Sequence, residues 1–407
     1  MSTLVLPGIP NSHSHSFQRA MAGMAERGSE RADSFWSWRE LMYRFAGRLT
    51  PESLHDISAQ LFVEMLQAGY TSTCEFHYLH HQVGGRPYDD PAAMSRAIIA
   101  AARETGIRLT LLPVLYMTGG FDGRELSGRQ KRFGHDLDAY LKLLDSLIAQ
   151  EDSMLRVGVA LHSLRAVPAD AMRDVLATPQ VGARRPIHIH ISEQTAEVDE
   201  CIASRGARPV EWLLANAAVD EAWTLVHATH VQASELAGIA ASKAVVALCP
   251  TTEANLGDGV FPLRDFIALG GRVGIGSDSN ISVSPIEELR WLEYGQRLVS
   301  RQRNLSTTRE LPSSGESLVL RAVAGGRQSN GHGVQDDDRL VLDEHSAAMC
   351  GVSATDLHDR FVFAGNACPV KDVFVHGKQI IESGQHLHGE RIRLRFRDSM
   401  RRLLSDD

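Results

Sequence analysis

Short runs of aliphatic and β-branched residues recur between residues 3 and 279, and longer stretches with helical spacing of apolar positions separate them. We assign strands to residues 3–8, 71–77, 107–116, 155–163, 185–192, 223–230, 244–250 and 272–279. Several runs are almost wholly apolar, which is typical of parallel strands buried on both faces. Between the first two strands, Thr50 before Pro51 marks a helix start and Gly69 marks its end.

Eight strands that alternate with helices predict an α/β protein built as a (β/α)8 TIM-like barrel. An open doubly wound nucleotide-binding sheet is disfavoured, because neither G-x-G-x-x-G nor G-x-x-x-x-G-K-[ST] occurs in the chain. The last barrel helix is assigned to residues 285–301. The barrel domain is therefore predicted to span residues 1–301.

The pattern changes after residue 301. Residues 302–338 are rich in Ser, Arg, Gly and Asp, and we interpret them as a polar connection around one short helix. Residues 339–390 form a predicted small β subdomain, whose hairpin at 370–385 turns at His376-Gly377. Residues 391–407 form a basic amphipathic helix, which we expect to pack on the barrel with one solvated face.

Composition excludes several classes of protein. The 407 residues are 43% apolar and 23% charged, as in soluble globular proteins, and no run approaches the roughly 20 apolar residues of a membrane helix. No signal peptide is visible, and five scattered cysteines without C-x-x-C favour a reducing cytoplasm. A net charge of −8 argues against nucleic-acid or anionic-membrane partners, and an anionic substrate would need locally placed arginines.

Side chains suited to chemistry follow nearly every predicted strand, where barrel enzymes collect catalytic groups. They are His13, His15, His77, Tyr78, Tyr116, His162, Arg165, His190, Glu193, His227 and Asp278. The two histidines of H-x-H are two residues apart, so they share one face if the chain is extended there. With His190 and Asp278 they would form an N3O ligand set, which suits Zn²⁺, with Fe²⁺ or another divalent ion as alternatives.

Other interpretations of these residues stay open at this point. His188 lies on the same strand face as His190, so either could belong to a polar barrel layer. Only one of His227 and His230 is expected to face the centre. The cluster of His77, His80 and His81, taken alone, is predicted to be a solvated loop, and Asp278 within "GSDS" also fits a turn or helix cap.

The motifs together resemble the amidohydrolase superfamily in its mononuclear deaminase form. The segments "LPGIPNSHSHSFQRAMAG", "DSFWSWRELMYR", "EFHYLHH", "LHSLRAV", "HIHISEQ", "LVHATH", "CPTTEANLGDG" and "IGSDSNISV" resemble its formimidoylglutamate deiminase branch. The resemblance covers roughly residues 4–300 and, more loosely, 339–385. It implies an amidohydrolase-type barrel with a small β-sandwich that includes the C-terminal hairpin.

The resemblance also implies a reaction and a set of site residues. The reaction is hydrolysis of a small anionic substrate, N-formimino-L-glutamate, to N-formyl-L-glutamate and ammonia in histidine degradation. One zinc ion per chain is implied, because no second ligand cluster is visible in the sequence. The implied metal ligands are His13, His15, His190 and Asp278; the catalytic residues are Glu193, His227 and Asp278; the substrate-binding residues are Gln18, Arg39, Tyr78, His162 and Arg165.

Each implied role has a chemical reason. Asp278 would accept the proton of the attacking water, and Glu193 would protonate the departing nitrogen. His227 would orient the nucleophile or share the proton transfer. Arg39 and Arg165 would match the two carboxylates of the substrate, since guanidinium groups bind carboxylates in a bidentate manner.

The chain departs from the family pattern at two places. The family carries several tens of residues before H-x-H, which supply strands to the small β-sandwich, so we expect its N-terminal half to be missing here and the sandwich to be incomplete. The link "GVQDDDRLVLD" is also altered. Exposed strand edges around 339–385 would follow. We further expect a homodimer.

Two other functions remain as alternatives. One is a superfamily deaminase that acts on a heterocycle, which Arg39 and Arg165 disfavour because a neutral ring needs no pair of guanidinium groups. The other is a catalytically silent barrel that serves as a binding scaffold. The presence of every implied ligand and acid–base residue disfavours it.

Overall fold

The computed structural model describes residues 4–26, 35–182 and 185–405. Thr3, the first residue of the first predicted strand, lies outside these ranges. So do Asp33 and Ser34 of the "DSFW" motif and residues 406–407 of the predicted C-terminal helix.

Parallel strands form a nearly closed barrel, and this confirms the predicted fold class. After a first short strand, β1 (Val5–Pro7), the barrel strands are β2 (Ile9–Ser14), β3 (Tyr70–His77), β4 (Arg108–Leu115), β5 (Leu155–Val157), β6 (Val159–Ser163), β7 (Ile187–Ile191), β8 (Trp223–His227), β9 (Val245–Leu248) and β10 (Arg272–Ile275). Strands β5 and β6 share the fourth of the eight positions, since both pair with β4.

The barrel closes between β2 and the chain that follows β10. Ser14 and Asp278 form a parallel bridge. The Asp278 N–H donates to the His13 carbonyl at 3.0 Å, and the His15 N–H donates to the Asp278 carbonyl at 2.9 Å. The first and last barrel positions are therefore joined at the carboxyl ends of their strands.

Helices cover the outside of the barrel. They are α1 (Phe35–Ala46), α2 (Pro51–Ala68), α3 (Ala93–Thr105), α4 (Leu137–Ile148), α5 (Ala169–Leu176), α6 (Thr195–Arg205), α7 (Pro209–Asn216), α8 (Ala233–Ser242), α9 (Pro250–Leu256), α10 (Leu263–Ala268) and α11 (Pro285–Ser300), with 3₁₀ turns at Ser16–Met21 and Lys131–Phe133. Thr50 caps α2 by accepting from the Ser53 N–H, and Gly69 ends it with a φ of 108°. Both predicted boundary signals are confirmed.

The predicted first barrel strand at 3–8 is wrong. Val5–Pro7 pairs antiparallel with β11 (Arg339–Leu342) of a separate small sheet, and the barrel begins only at Ile9. Gly8 separates the two strands, and a Cβ there would lie 2.4 Å from Thr71 Oγ1. The alternation of exposed Val5 with buried Leu6 suits a half-exposed antiparallel strand, whereas β2 is buried throughout.

The small sheet is antiparallel and has the order β1–β11–β12–β13–β14, with β12 at Val370–Val375, β13 at Lys378–Glu382 and β14 at Gln385–His386. Its hairpin turns at His376 and Gly377, whose φ values of 50° and 74° confirm the predicted turn. A buried ion pair at 2.8 Å between Arg108 of β4 and Asp338 ties this sheet to the barrel. The remaining helices are α12 (Ser314–Asn330), α13 (Leu357–Phe363) and α14 (Gly389–Leu404).

The predicted short helix in 302–338 is instead the 17-residue α12, which packs beneath the barrel. A Cβ on Gly325 would lie 2.1 Å from the Val273 carbonyl oxygen, and one on Gly326 would lie 2.7 Å from Pro10 Cβ. Small residues thus let α12 approach the amino ends of β10 and β2. The same small residues made the segment look like a polar connection in the sequence.

Within the three described ranges, no helix has both the length and the apolar character that crossing a lipid bilayer requires.

We expect Gly325→Ala to destabilise the protein by about 1–3 kcal/mol, because the new methyl group meets backbone atoms that cannot move aside. Thermal unfolding would measure this loss. Gly128→Ala is the matched control, since a Cβ there has no neighbour within 4 Å in the part of the chain that the structure describes and its φ is not left-handed. Equal unfolding temperatures for the two variants would contradict the close approach of α12 to the barrel.

Candidate metal centre and active site

The four predicted metal ligands converge at the carboxyl end of the barrel. His13, His15, His190 and Asp278 are buried, and their ligand atoms lie within 4.8 Å of one another. The two Nε2 atoms of His13 and His15 are 3.1 Å apart. Asp278 Oδ1 lies 3.5 Å from the first and 3.3 Å from the second.

Backbone carbonyls orient two of these imidazole rings. His15 Nδ1 lies 2.9 Å from the Phe76 carbonyl, and His190 Nδ1 lies 3.2 Å from the His162 carbonyl. A carbonyl oxygen only accepts, so each Nδ1 carries the hydrogen and each Nε2 keeps a lone pair. This is the arrangement that fixes a metal-binding histidine in its tautomer.

The charge states also suit a divalent cation. Burial lowers the pKa of His13 to about 3, so its imidazole is neutral at physiological pH. Burial alone would raise the pKa of Asp278, but contacts with His13, His15 and His227 outweigh burial and hold that pKa below its ordinary value. Three neutral imidazoles and one carboxylate are a donor set that fits Zn²⁺ or a similar ion.

Glu193 and His227 lie beside this ligand set. His227 Nε2 is 3.8 Å from Glu193 Oε1 and 3.6 Å from Asp278 Oδ2. Burial raises the pKa of Glu193 to about 7, although the nearby His227 opposes the rise. A carboxyl group with a pKa near neutrality is suited to take and give protons at physiological pH.

Strained backbone positions these groups. Ser192, His227, Asp278 and Asn280 have φ values of 53°, 68°, 43° and 58°, which non-glycine residues rarely adopt. Glu197 accepts hydrogen bonds from the N–H groups of Ser192 and Glu193 at 3.1 and 3.0 Å. Asn280 Nδ2 donates to the carbonyls of His15 and Asp278, both at 3.0 Å. Such buried partners hold conformations that the chain would otherwise leave.

All five predicted substrate-binding residues line one open cavity beside the ligand set. Gln18 Nε2 donates to the Tyr78 hydroxyl at 2.8 Å, which leaves Gln18 Oε1 buried without a partner among the described residues. Arg165 Nε is likewise buried and unpartnered there. His162 Nδ1 lies 3.1 Å from Ser163 Oγ, and the Arg39 guanidinium lies over the Tyr43 ring.

The structure resolves the open interpretations of single histidines. His188 points to the bottom of the barrel, where its Nε2 lies 3.0 Å from the Ser329 carbonyl, whereas His190 points to the ligand set. His227, not His230, lines the cavity. The prediction of a solvated loop at His77, His80 and His81 is wrong, because all three side chains are buried.

A second group of possible ligands adjoins the first, contrary to the expectation of none. His227, Cys249 and Glu253 bring their ligand atoms within 4.8 Å of one another. However, Glu253 Oε1 already accepts from His227 Nδ1 and from the Cys249 N–H. Burial also raises the pKa of Cys249 well above its ordinary value, so this thiol stays protonated. The first group is therefore the better candidate for the metal site.

Sequence reasoning missed several residues of the cavity. Trp38, Met42 and Tyr43 of α1 and Glu197 of α6 line it. Glu253 was missed as a partner of His227. One signal could have found it: the predicted strand 244–250 alone had no chemical group assigned to its end, and Glu253 is the first ionisable side chain after Cys249.

Comparison with known proteins agrees with this geometry. Residues 4–310 match the model of the amidohydrolase family. The chain belongs to the amidohydrolase family. It is 50% identical over 394 residues to a formimidoylglutamate deiminase of Pseudomonas aeruginosa, a match that covers 95% of this chain and 86% of that protein. This similarity confirms the resemblance found in the sequence.

Solved structures show the same amidohydrolase fold. A crystal structure of an amidohydrolase from Brucella melitensis superposes with a TM-score of 0.92 at 42% identity, over 98% of this chain and 90% of that one. An adenosine deaminase from Xanthomonas campestris with bound zinc superposes with a TM-score of 0.80 at 19% identity, over 99% and 86% of the two chains. The protein is thus an enzyme, a metal-dependent amidohydrolase that acts on carbon–nitrogen bonds.

We expect the purified protein to hold about one divalent ion per chain and His190→Ala to lose it, because that variant lacks one of four ligands. Elemental analysis after dialysis measures both. His188→Ala is the control. The His188 side chain lies on the same strand as His190 but hydrogen-bonds to the Ser329 carbonyl, so this variant should keep the ion. Two ions per chain, or loss from both variants, would contradict the assignment.

Proposed function

We propose that this amidohydrolase converts N-formimino-L-glutamate and water to N-formyl-L-glutamate and ammonia, as a step of histidine degradation. The observation that carries the proposal is that His15, His190 and Asp278 of the N3O ligand set line the same cavity as Arg165, whose buried Nε has no hydrogen-bond partner among the described residues. The similarity to the Pseudomonas aeruginosa deiminase supports the same substrate. We propose Zn²⁺ as the ion, with Fe²⁺ or another divalent ion as alternatives.

Asp278, Glu193 and His227 carry out different proton-transfer steps of the proposed reaction. When bound by His13, His15, His190 and Asp278, a divalent ion lowers the pKa of a water molecule towards about 7. Asp278 accepts the proton as the water oxygen attacks the formimino carbon. Glu193 delivers one proton to the departing nitrogen, and Asp278 passes on the proton that it took from the water, so that the nitrogen leaves as ammonia when the carbon–nitrogen bond breaks. The hydroxyl proton that is lost as the formyl carbonyl forms returns to Glu193. His227 orients the attacking oxygen or shares the proton transfer.

Substrate recognition falls to other residues that line the same cavity. Arg39 and Arg165 hold the two carboxylates of the glutamate moiety, with help from Tyr78 and His162. Gln18 Oε1, which has no partner among the described residues, can accept a hydrogen bond from a nitrogen of the formimino group. Two guanidinium groups also supply the local positive charge that an anionic substrate needs in a chain with a net charge of −8.

An ammonia-release assay decides between this function and its alternatives. The protein is incubated with N-formimino-L-glutamate, other amidines and a panel of nucleobases and triazines, with and without added zinc. Release from the formimino compound alone supports the proposal. Release from a heterocycle would favour a ring deaminase, and none from any compound would favour a binding scaffold.

The expected homodimer and cytoplasmic location stay predictions. Light scattering in solution tests the first, and fractionation of cells that produce the protein tests the second.

We expect Glu193→Gln to keep the metal and lose about 10²–10⁴-fold in kcat, because the amide cannot carry the proton while all four ligands remain. Steady-state kinetics and elemental analysis on the same sample measure this. A variant with near-normal kcat would reassign Glu193 to a structural role.

We expect Arg39→Met and Arg165→Met each to lower kcat/KM by a factor that corresponds to about 2–5 kcal/mol, because a substrate carboxylate is left buried without its partner. Kinetics with formimino compounds that lack one or the other carboxylate provide the matched control. Each variant should lose much less on the compound that lacks the carboxylate it binds. Equal losses on every substrate would show that the arginines support the fold.

A further inference from the structure

Glu253 is a buried carboxylate beside the active site for which the proposed reaction has no use. It lies on α9, and its side chain is 6% exposed. Its Oε1 atom lies 3.2 Å from His227 Nδ1 and accepts the Cys249 N–H at 2.9 Å. The carboxylate therefore joins the ends of two neighbouring strands, β8 and β9.

The ring of His227 needs such a partner to keep one orientation. His227 and Ala228 are consecutive left-handed residues, with φ values of 68° and 49°, at the end of β8. The chain turns sharply there, so the regular side-chain alternation of the strand no longer determines where the ring points. Among the described residues, the hydrogen-bond partner of His227 Nδ1 is Glu253.

We propose that Glu253 is a positioning residue for the reaction: it holds the Nδ1 hydrogen of His227 and so directs Nε2 at the reacting atoms. Nε2 faces Asp278 Oδ2 and Glu193 Oε1, at 3.6 and 3.8 Å. Any proton that His227 takes or gives is then exchanged at Nε2, on the side of the cavity. The inference rests on the proposed function only for the role of His227 in turnover.

A structural role for Glu253 is the competing explanation, since the same oxygen also accepts the N–H at the start of α9. Glu288 separates the two explanations. It is buried, and its carboxylate accepts from the N–H of Thr251 at 3.0 Å and from the Thr251 hydroxyl, on the same short helix. A change that merely loosens α9 would act through Glu288 as well, but Glu288 makes no contact with His227 among the bonds that the structure describes.

A double-mutant cycle tests the proposal with the full-length, metal-loaded protein. Glu253→Gln should lower kcat about 10–100-fold with KM changed less than about threefold, and it should keep the metal. In a His227→Gln background, the same change should cost less than about threefold, because Glu253 acts through His227. Glu288→Gln should leave kcat near that of the parent. Equal losses from Glu253→Gln in both backgrounds would overturn the proposal.

Proton NMR without substrate tests the hydrogen bond itself. The parent should show a downfield imidazole N–H resonance that exchanges slowly with water, and His227→Gln and Glu253→Ala should both lose it while Glu288→Gln keeps it. Persistence of the resonance in Glu253→Ala would overturn the proposal. If the parent shows the resonance but releases no ammonia from N-formimino-L-glutamate, the proposed function fails and the positioning of His227 by Glu253 is still supported.

Discussion

The closure of the barrel between β2 and the segment after β10 is the constraint on which the site depends. Main-chain hydrogen bonds join His13 and His15 to Asp278, so the two ends of the barrel sheet meet at three of the proposed metal ligands. The Asp278 carboxylate, which is more than 260 residues away from both histidines in the chain, is thereby placed 3.5 Å or less from the imidazoles of His13 and His15. Barrel closure thus brings together three of the four proposed metal ligands, and His190 on β7 completes the set.

The site brings together several carboxylates that would lose their negative charge if they were buried without polar partners. The carboxylates of Glu193, Glu197, Glu253 and Asp278 all lie in or beside one cavity. Each buried charge needs a hydrogen bond, a counter-charge or a cation to remain stable. Glu197 accepts hydrogen bonds from backbone N–H groups, and Glu253 accepts one from His227. The donor set that includes Asp278 suits a cation. The polar partners that stabilise the site also orient it.

The two ends of the barrel have different tasks. At the carboxyl ends, left-handed residues and buried carboxylates aim side chains into the cavity. At the amino ends, α12 packs its small residues against β10 and β2, and the Ser329 carbonyl engages His188. Two histidines on one strand, His188 and His190, therefore serve opposite ends of the barrel. This division between a functional face and a supporting face is general in barrel enzymes.

The sequence by itself determined the fold class and the candidate ligands, because both follow from local order. Alternating strands and helices predict a barrel, and residues at successive strand ends must meet at one face. Tertiary contacts decided the rest. Val5–Pro7 belongs to the small sheet and not to the barrel because it pairs with β11. The small residues of α12 can be explained only by the close approach of this helix to β10. The missing chemical group at the end of strand 244–250 could have pointed to Glu253, but its pairing with His227 joins two strands, so the sequence could not show that partner. Periodicity reports how a segment packs, whereas the identity of its partner depends on residues far away in the chain.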